Sequence, residues 1–142
     1  MGGLSGCDMI EKQFTIYLEN KPGILADVTS KLAKAKVNIE GISVAESTDT
    51  AIVQLVVDRA QAAAKTFKQA KIAYTVQNVA LVHLTNKPGS LARIVSQIAK
   101  FRININYVYA TGCACKKGCD CYAVIGAPDL KKVEKAWKTM SK

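Results

Sequence analysis

Residues 20–29 read NKPGILADVT, and residues 86–95 read NKPGSLARIV. Continued without a gap to Ile39 and Ile105, the two stretches share eleven identities in twenty positions, among them Leu25 with Leu91, Ala26 with Ala92, Ser30 with Ser96, Ala33 with Ala99 and Asn38 with Asn104. An offset of 66 residues is too long for most solenoid repeats and fits a small domain. The chain therefore reads as one domain written twice.

Within each copy the hydrophobic period changes in a fixed order. Phe14, Ile16 and Leu18 alternate with polar neighbours as in a half-buried strand, and Leu25, Val28, Leu32 and Ala35 recur at helical spacing. Ile42 and Val44, a polar turn at 46–49, then Val53, Leu55 and Val57 predict a hairpin; a second helix runs through Ala60, Ala63, Ala64 and Phe67, and a short strand follows near Tyr74 and Val76. The second copy repeats the order with Ala80, Val82 and Leu84, then Leu91, Ile94, Val95 and Ile98, then Val108, Ala110, Tyr122 and Val124, then Leu130, Val133, Trp137 and Met140. Right-handed crossovers make the first two strands of each copy parallel, with the third inserted antiparallel between them and both helices on one face. The expected fold class is α+β, two tandem ferredoxin-like βαββαβ domains. Their expected bounds are 11–77 and 78–142, behind a flexible extension of residues 1–10.

The second copy stops at Lys142 with no room for a last strand, which leaves its first strand as an open edge that another segment or chain must cover. Units this small bury only about 60% of their unfolded surface. A homodimer or larger assembly is expected.

With 49% hydrophobic and 22% charged residues, the composition is that of a globular protein. No apolar run approaches the roughly 18 residues of a membrane span, and the start, MGGLSGCDMIEK, lacks the form of a secretory signal, so a cytoplasmic protein is expected. The formal charge of +9 attracts anions. Its lysines are dispersed, however, and no helix-turn-helix or aromatic RNA-binding motif accompanies them, so no specific nucleic-acid module is read. No nucleophile with a matched base, paired carboxylates or GxxxxGK phosphate loop is present, so an enzyme is not expected.

The Asn-Lys-Pro-Gly phrase sits where a strand ends and a helix begins. Pro is preorganised for a first helical turn and Gly allows close approach to the backbone, while the unpaired amides beyond it, at Ile24 and Leu25 or Ser90 and Leu91, favour a carboxylate or phosphate. As plain punctuation, the same residues would only turn the chain into its helix, with Asn as the cap.

The N-x-P-G loop, the Leu/Ala/Ile helix after it and the following VNIE or ININ (37–40 and 103–106), set in this strand and helix order, resemble the ACT domain family over about residues 11–140. The resemblance implies a free-standing tandem ACT protein, a regulatory and allosteric module that binds an amino acid or similar small carboxylate where domains meet and acts on an enzyme or regulator of amino-acid metabolism. Carried over residue by residue, it nominates Asn20, Gly23, Ile24 and Leu25, their copies Asn86, Gly89, Ser90 and Leu91, and Asn38 and Asn104 supplied by an adjoining domain. Parallel first and second strands put each of these two asparagines at the far end of its own domain from its own loop. Ile24 and Ser90 differ just after Gly, so the two sites need not share a ligand.

A second signal is the hairpin tip GCACKKGCDCY (112–122). By count it is five residues longer than the first hairpin, which would put Cys113, Cys115, Cys119 and Cys121 on one face, opposite Val108, Ala110, Tyr122 and Val124 and alongside Tyr107 and Tyr109. Four soft ligands suit zinc, copper(I) or an iron-sulfur cluster, with His83 as a further candidate ligand. The C-x-C spacing is not that of common zinc ribbons, and redox-active or disulfide-forming thiols and incidental cysteines remain alternatives. The alternative function is thus a thiol-based metal or redox protein on an ACT-like scaffold.

Overall fold

The computed structural model describes residues 9–110 and 120–140. The elements run β1 (Ile10–Glu19), α1 (Ile24–Lys34), β2 (Ile39–Glu46), β3 (Thr50–Val57), α2 (Ala60–Gln69), β4 (Ala73–Thr85), α3 (Ser90–Lys100), β5 (Tyr107–Ala110), β6 (Asp120–Gly126) and α4 (Leu130–Met140). They form two compact units, one of Lys12–Gln77 and one of the residues from Asn78 onward together with those up to Glu11.

In the unit of residues 12–77 the strand order is β2-β3-β1-β4. β3 runs antiparallel to both neighbours, with Ile16 opposite Val53 and Ile42 opposite Leu55, so β1 and β2 are parallel as the crossover rule requires. Phe14, Ile16 and Leu18 meet Val53, Leu55 and Val57 and, from the helices, Val28, Leu32, Ala63 and Phe67 in one core. The period of two in the strands and of 3.6 in the helices puts these side chains on facing surfaces. The rings of Phe14, Phe67 and Tyr74 lie 5.4–5.7 Å apart by centroid in edge-on and tilted contacts.

The other unit has the order β1-β4-β6-β5. Ala80, Val82 and Leu84 of β4 pack with Ala123 and Ile125 of β6 under Ile94 and Ile98 of α3 and Val133 and Ala136 of α4. No strand follows α4 among the described residues. The flank of β4, expected to need cover from another segment or chain, is covered by the start of the chain: Met9 is buried in this core, and the Leu81 N–H donates to the Met9 carbonyl at 2.7 Å. Of the extension expected at 1–10, residues 1–8 lie outside the described residues, Met9 is a core residue and Ile10 opens β1. The short strand near Tyr74 and the strand through Ala80 are likewise one element, the thirteen-residue β4.

Three helices, α1, α2 and α3, end on a left-handed residue that is not glycine: Lys36, Lys71 and Arg102, at φ 60, 57 and 58°. Each turns the chain back so that the next amide bonds into the last helical turn, as Val37 N–H does to Leu32 O at 3.0 Å. A cation at this position also faces the negative end of the helix dipole.

Because Met9 is the apolar anchor of a borrowed strand, Met9→Ala should destabilise by about 2 kcal/mol or more in urea unfolding. Amide exchange should accelerate in β4, α3 and α4 and stay near its original rate in α1 and α2.

Candidate functional site

Four residues join β1 to α1 and four join β4 to α3, and the two joints have one conformation. Gly23 has φ 86 and ψ −13°, Gly89 has φ 88 and ψ −11°. This is the left-handed region, open to glycine at little cost and costing other L-residues about 1–2 kcal/mol. The glycine is thus required by backbone direction, beyond any need for close approach. A Cβ built at either position meets nothing within 4 Å.

Neither helix has a side-chain cap. Asn20, which could have capped α1, donates from Nδ2 to Glu46 Oε2 at 3.0 Å. The Ile24 and Ser90 amides make long bonds, 3.4 and 3.3 Å, to the carbonyls of Lys21 and Lys87, which close the loop on itself. The amides of Leu25 and Ala26, and of Leu91 and Ala92, have no backbone acceptor among the described residues, so two donors at each helix start remain for an outside oxygen. Leu25 and Leu91, at the head of their apolar stripes, are exposed at 37 and 40% beside these amides. Each loop therefore offers polar donors next to an apolar wall.

The two loops carry different charges. At the first, Glu19 pairs with Lys21 at 2.8 Å, which lowers the Glu19 carboxyl below its ordinary value and raises the Lys21 ammonium, and Asp27 pairs with Lys31. At the second, Thr85 stands where Glu19 does, Ser90 where Ile24 does and Arg93 where Asp27 does. There a cavity of about 120 Å³ is lined by His83, Leu84, Thr85, Lys87, Ser90, Arg93, Trp137 and Met140. Arg93 and Met140 also border a groove of about 380 Å³ along α3, with Gly89, Ala92, Ser96, Gln97 and Lys100.

Asn38 and Asn104 are exposed and lie beyond the last turns of α1 and α3. Eleven helical residues rise about 16 Å, so neither asparagine joins the loop of its own unit. Asn38 N–H donates to Asp58 Oδ1 at 2.8 Å and the Asp58 N–H returns a bond to the Asn38 carbonyl at 3.1 Å. Glu40, two residues on, has its carboxyl raised above the ordinary value by burial first and by the Asp58 charge second.

Of the cysteine hairpin, Cys113, Cys115 and Cys119 lie outside the described residues. Cys121 does not take the face expected for it. Val44 pairs with Val53 and its counterpart Ala110 pairs with Ala123, so by register the second hairpin is longer by four residues and not five. One residue reverses the face. Cys121 packs half-buried toward the α3 and α4 core with Ala123 and Ile125, while Tyr122 and Val124 share the other face with Tyr107 and Tyr109. His83 pairs with Tyr122 on that other face, their rings 5.5 Å apart, so His83 and Cys121 project from opposite sides of the strands. Among the described residues no three metal-ligating side chains come together. Tyr107 lies flat over Gly126, where a methyl group would stand 2.3 Å from its Cζ, and stacks on Tyr109, whose hydroxyl is raised above its ordinary value by burial and then by Tyr107. Tyr107 and Tyr109 thus take the face expected for them from the sequence.

The family model of the ACT domain pair matches residues 9–124. The chain belongs to the ACT domain family. Its backbone superposes with a Bacteroides thetaiotaomicron protein of 29% identity at a TM-score of 0.83, over 94% of this chain and 90% of that one. The regulatory subunits of aspartate kinase from Thermus thermophilus and Thermus flavus have the same fold at 19 and 18% identity, with TM-scores of 0.66 and 0.59; they are matched over 91% of both chains and 95% of both chains respectively. No curated protein matches by sequence. None of the helices among the described residues of this ACT domain pair is long and apolar enough to cross a membrane.

Replacing Gly89 should be harmful through backbone strain rather than collision. Gly89→Val should cost about 2 kcal/mol in urea unfolding and Gly89→Asn clearly less, since Asn tolerates the left-handed region. Glu40 gives a pH test. A carboxyl raised on folding leaves the folded state most favoured below the unfolded value, and stability falls as pH rises through the folded value. Glu40→Gln should therefore raise the melting temperature at pH 7 and leave it nearly unchanged at pH 4.

Proposed function

We propose that this ACT domain pair is a regulatory protein that binds an amino acid or similar small carboxylate at its glycine loops, and that it has no catalytic role. The observation that carries the reading is the loop geometry: two left-handed glycines in the same conformation, each opening a helix whose Leu and Ala amides have no backbone acceptor among the described residues. Such amides, at the positive end of a helix dipole, suit a carboxylate. The membership of the family and the likeness in fold to aspartate kinase regulatory subunits support a regulatory role toward an enzyme or regulator of amino-acid metabolism.

In this reading Gly23, Ile24, Leu25, Gly89, Ser90 and Leu91 receive the ligand, Asn20 and Asn86 shape the loops, and Asn38 and Asn104 come from another copy of the chain. Assembly is supported by the exposed apolar residues of the terminal strands, Ile42 and Val44 on β2 and Val108 on β5, since an uncovered strand edge with apolar side chains favours pairing with a further strand. Ligand that bridges two copies would shift the equilibrium toward the assembled state by its difference in affinity between the two.

The test is a thermal-shift and calorimetric screen of the reduced protein against the twenty common amino acids, repeated with Leu25→Glu and Leu91→Glu. A carboxylate at the helix start occupies the open amides and is itself tolerated there. At least one amino acid should raise the melting temperature, and one or both variants should lose that shift while keeping or slightly gaining stability without ligand. Absence of any shift at millimolar concentrations would overturn the proposal.

A further inference from the structure

Duplication supplied two identical loops, and the residues around them have since diverged in charge in one direction. Around the first loop stand three carboxylates: Glu19 and Asp27, each already engaged by a lysine, Lys21 and Lys31, and Glu46, which accepts from Asn20. The counterparts of Glu19 and Asp27 around the second are Thr85 and Arg93. Arg93 and Lys87 line one small cavity with Ser90 and Thr85, and among the residues whose side chains are described no carboxylate lines it. Among the described residues neither cation has an ion-pair partner. Two unpaired cations at the wall of one cavity repel each other, and an anion placed between them relieves that repulsion and gains charge-assisted hydrogen bonds.

We infer that the two sites differ in ligand charge: the second site takes a ligand with two anionic groups, a small acidic amino acid or four-carbon dicarboxylate, and the first site excludes it. This rests on the reading that the glycine loops hold amino acids. One carboxylate of the ligand meets the open amides of Leu91 and Ala92, and the other meets Arg93 and Lys87. A volume of about 120 Å³ suits the short carboxylate arm of such a ligand. At the first site Lys21 is occupied by Glu19, and Asp27 and Glu19 repel a second negative group. The Arg93 guanidinium, fixed in charge and able to hold a carboxylate through two parallel bonds, is the residue that sets the preference.

The experiment compares L-aspartate with its neutral isostere L-asparagine, and with L-lysine, by calorimetry on the full-length reduced protein at low and at moderate ionic strength. Amide spectra of Ser90–Ala92 and of Ile24–Ala26 report which loop responds. Aspartate should bind at the second loop at least about fivefold more tightly than asparagine, and the ratio should shrink as salt is added. In Arg93→Gln, an exposed change that leaves both cores intact, the two ligands should bind alike. If wild-type protein binds asparagine or another neutral amino acid as well as aspartate, or if Arg93→Gln keeps the preference, the charge assignment is overturned while the amino-acid reading stands. If aspartate perturbs the Ile24–Ala26 amides instead, the assignment of sites is overturned. If none of the twenty amino acids binds, the reading beneath it falls and this inference with it.

Discussion

A strand and a helix that pack face to face must be joined by a reversal of the chain, and here the joint has four residues. One left-handed glycine makes a joint this short workable. It aims α1 and α3 back over their own strands, which brings Val28 and Leu32 onto the first core and Ile94 and Ile98 onto the second. The same bend leaves the amides of Leu25 and Ala26, and of Leu91 and Ala92, without a backbone acceptor among the described residues, because a chain arriving from that direction presents no cap. Packing and the capacity to bind thus have a single origin, and neither glycine can be changed for one without affecting the other.

Much of this was legible in the sequence. Periods of two and of 3.6 changed over cleanly at Pro-Gly and at the polar turns, and the core residues read from them, Phe14, Ile16, Leu32, Phe67, Ala80, Val82 and Ile94 among them, are buried. The glycine loops were legible because two copies of one phrase mark a joint. What was hidden depends on partners far away along the chain. Nothing local to Met9 says that Leu81 will receive it, and nothing in the string of cysteines fixes whether their hairpin is longer by four residues or by five. Alternation alone carries parity through a strand, but across a hairpin parity is set by the register of Ala110 against Ala123. The face assigned to Cys121 failed on that single residue, while Tyr107 and Tyr109, on the strand before the insertion, were placed correctly.

The asymmetry between the two loops was half visible. Ile24 and Ser90 were noticed because they touch the glycine, whereas Asp27 and Arg93, three residues further on, matter only because a helix turn returns them to the same end. Periodicity reports which residues are inside. It is silent on which exposed residues share a cavity, and that is where the two copies have diverged.

The second unit is closed by the start of the chain, at Met9, although most of that unit follows Gln77. A ribosome makes the closing strand first and the residues it covers last. Lys12–Gln77 have all their strands and helices once the chain has passed Gln77, whereas Met9 has no apolar partner in its core until Ala80, Ile94 and Ile125 have emerged. Its contacts span about half the chain or more, the kind that slows folding. The segment that completes the younger half of the molecule must therefore wait, exposed, through the synthesis of the older half.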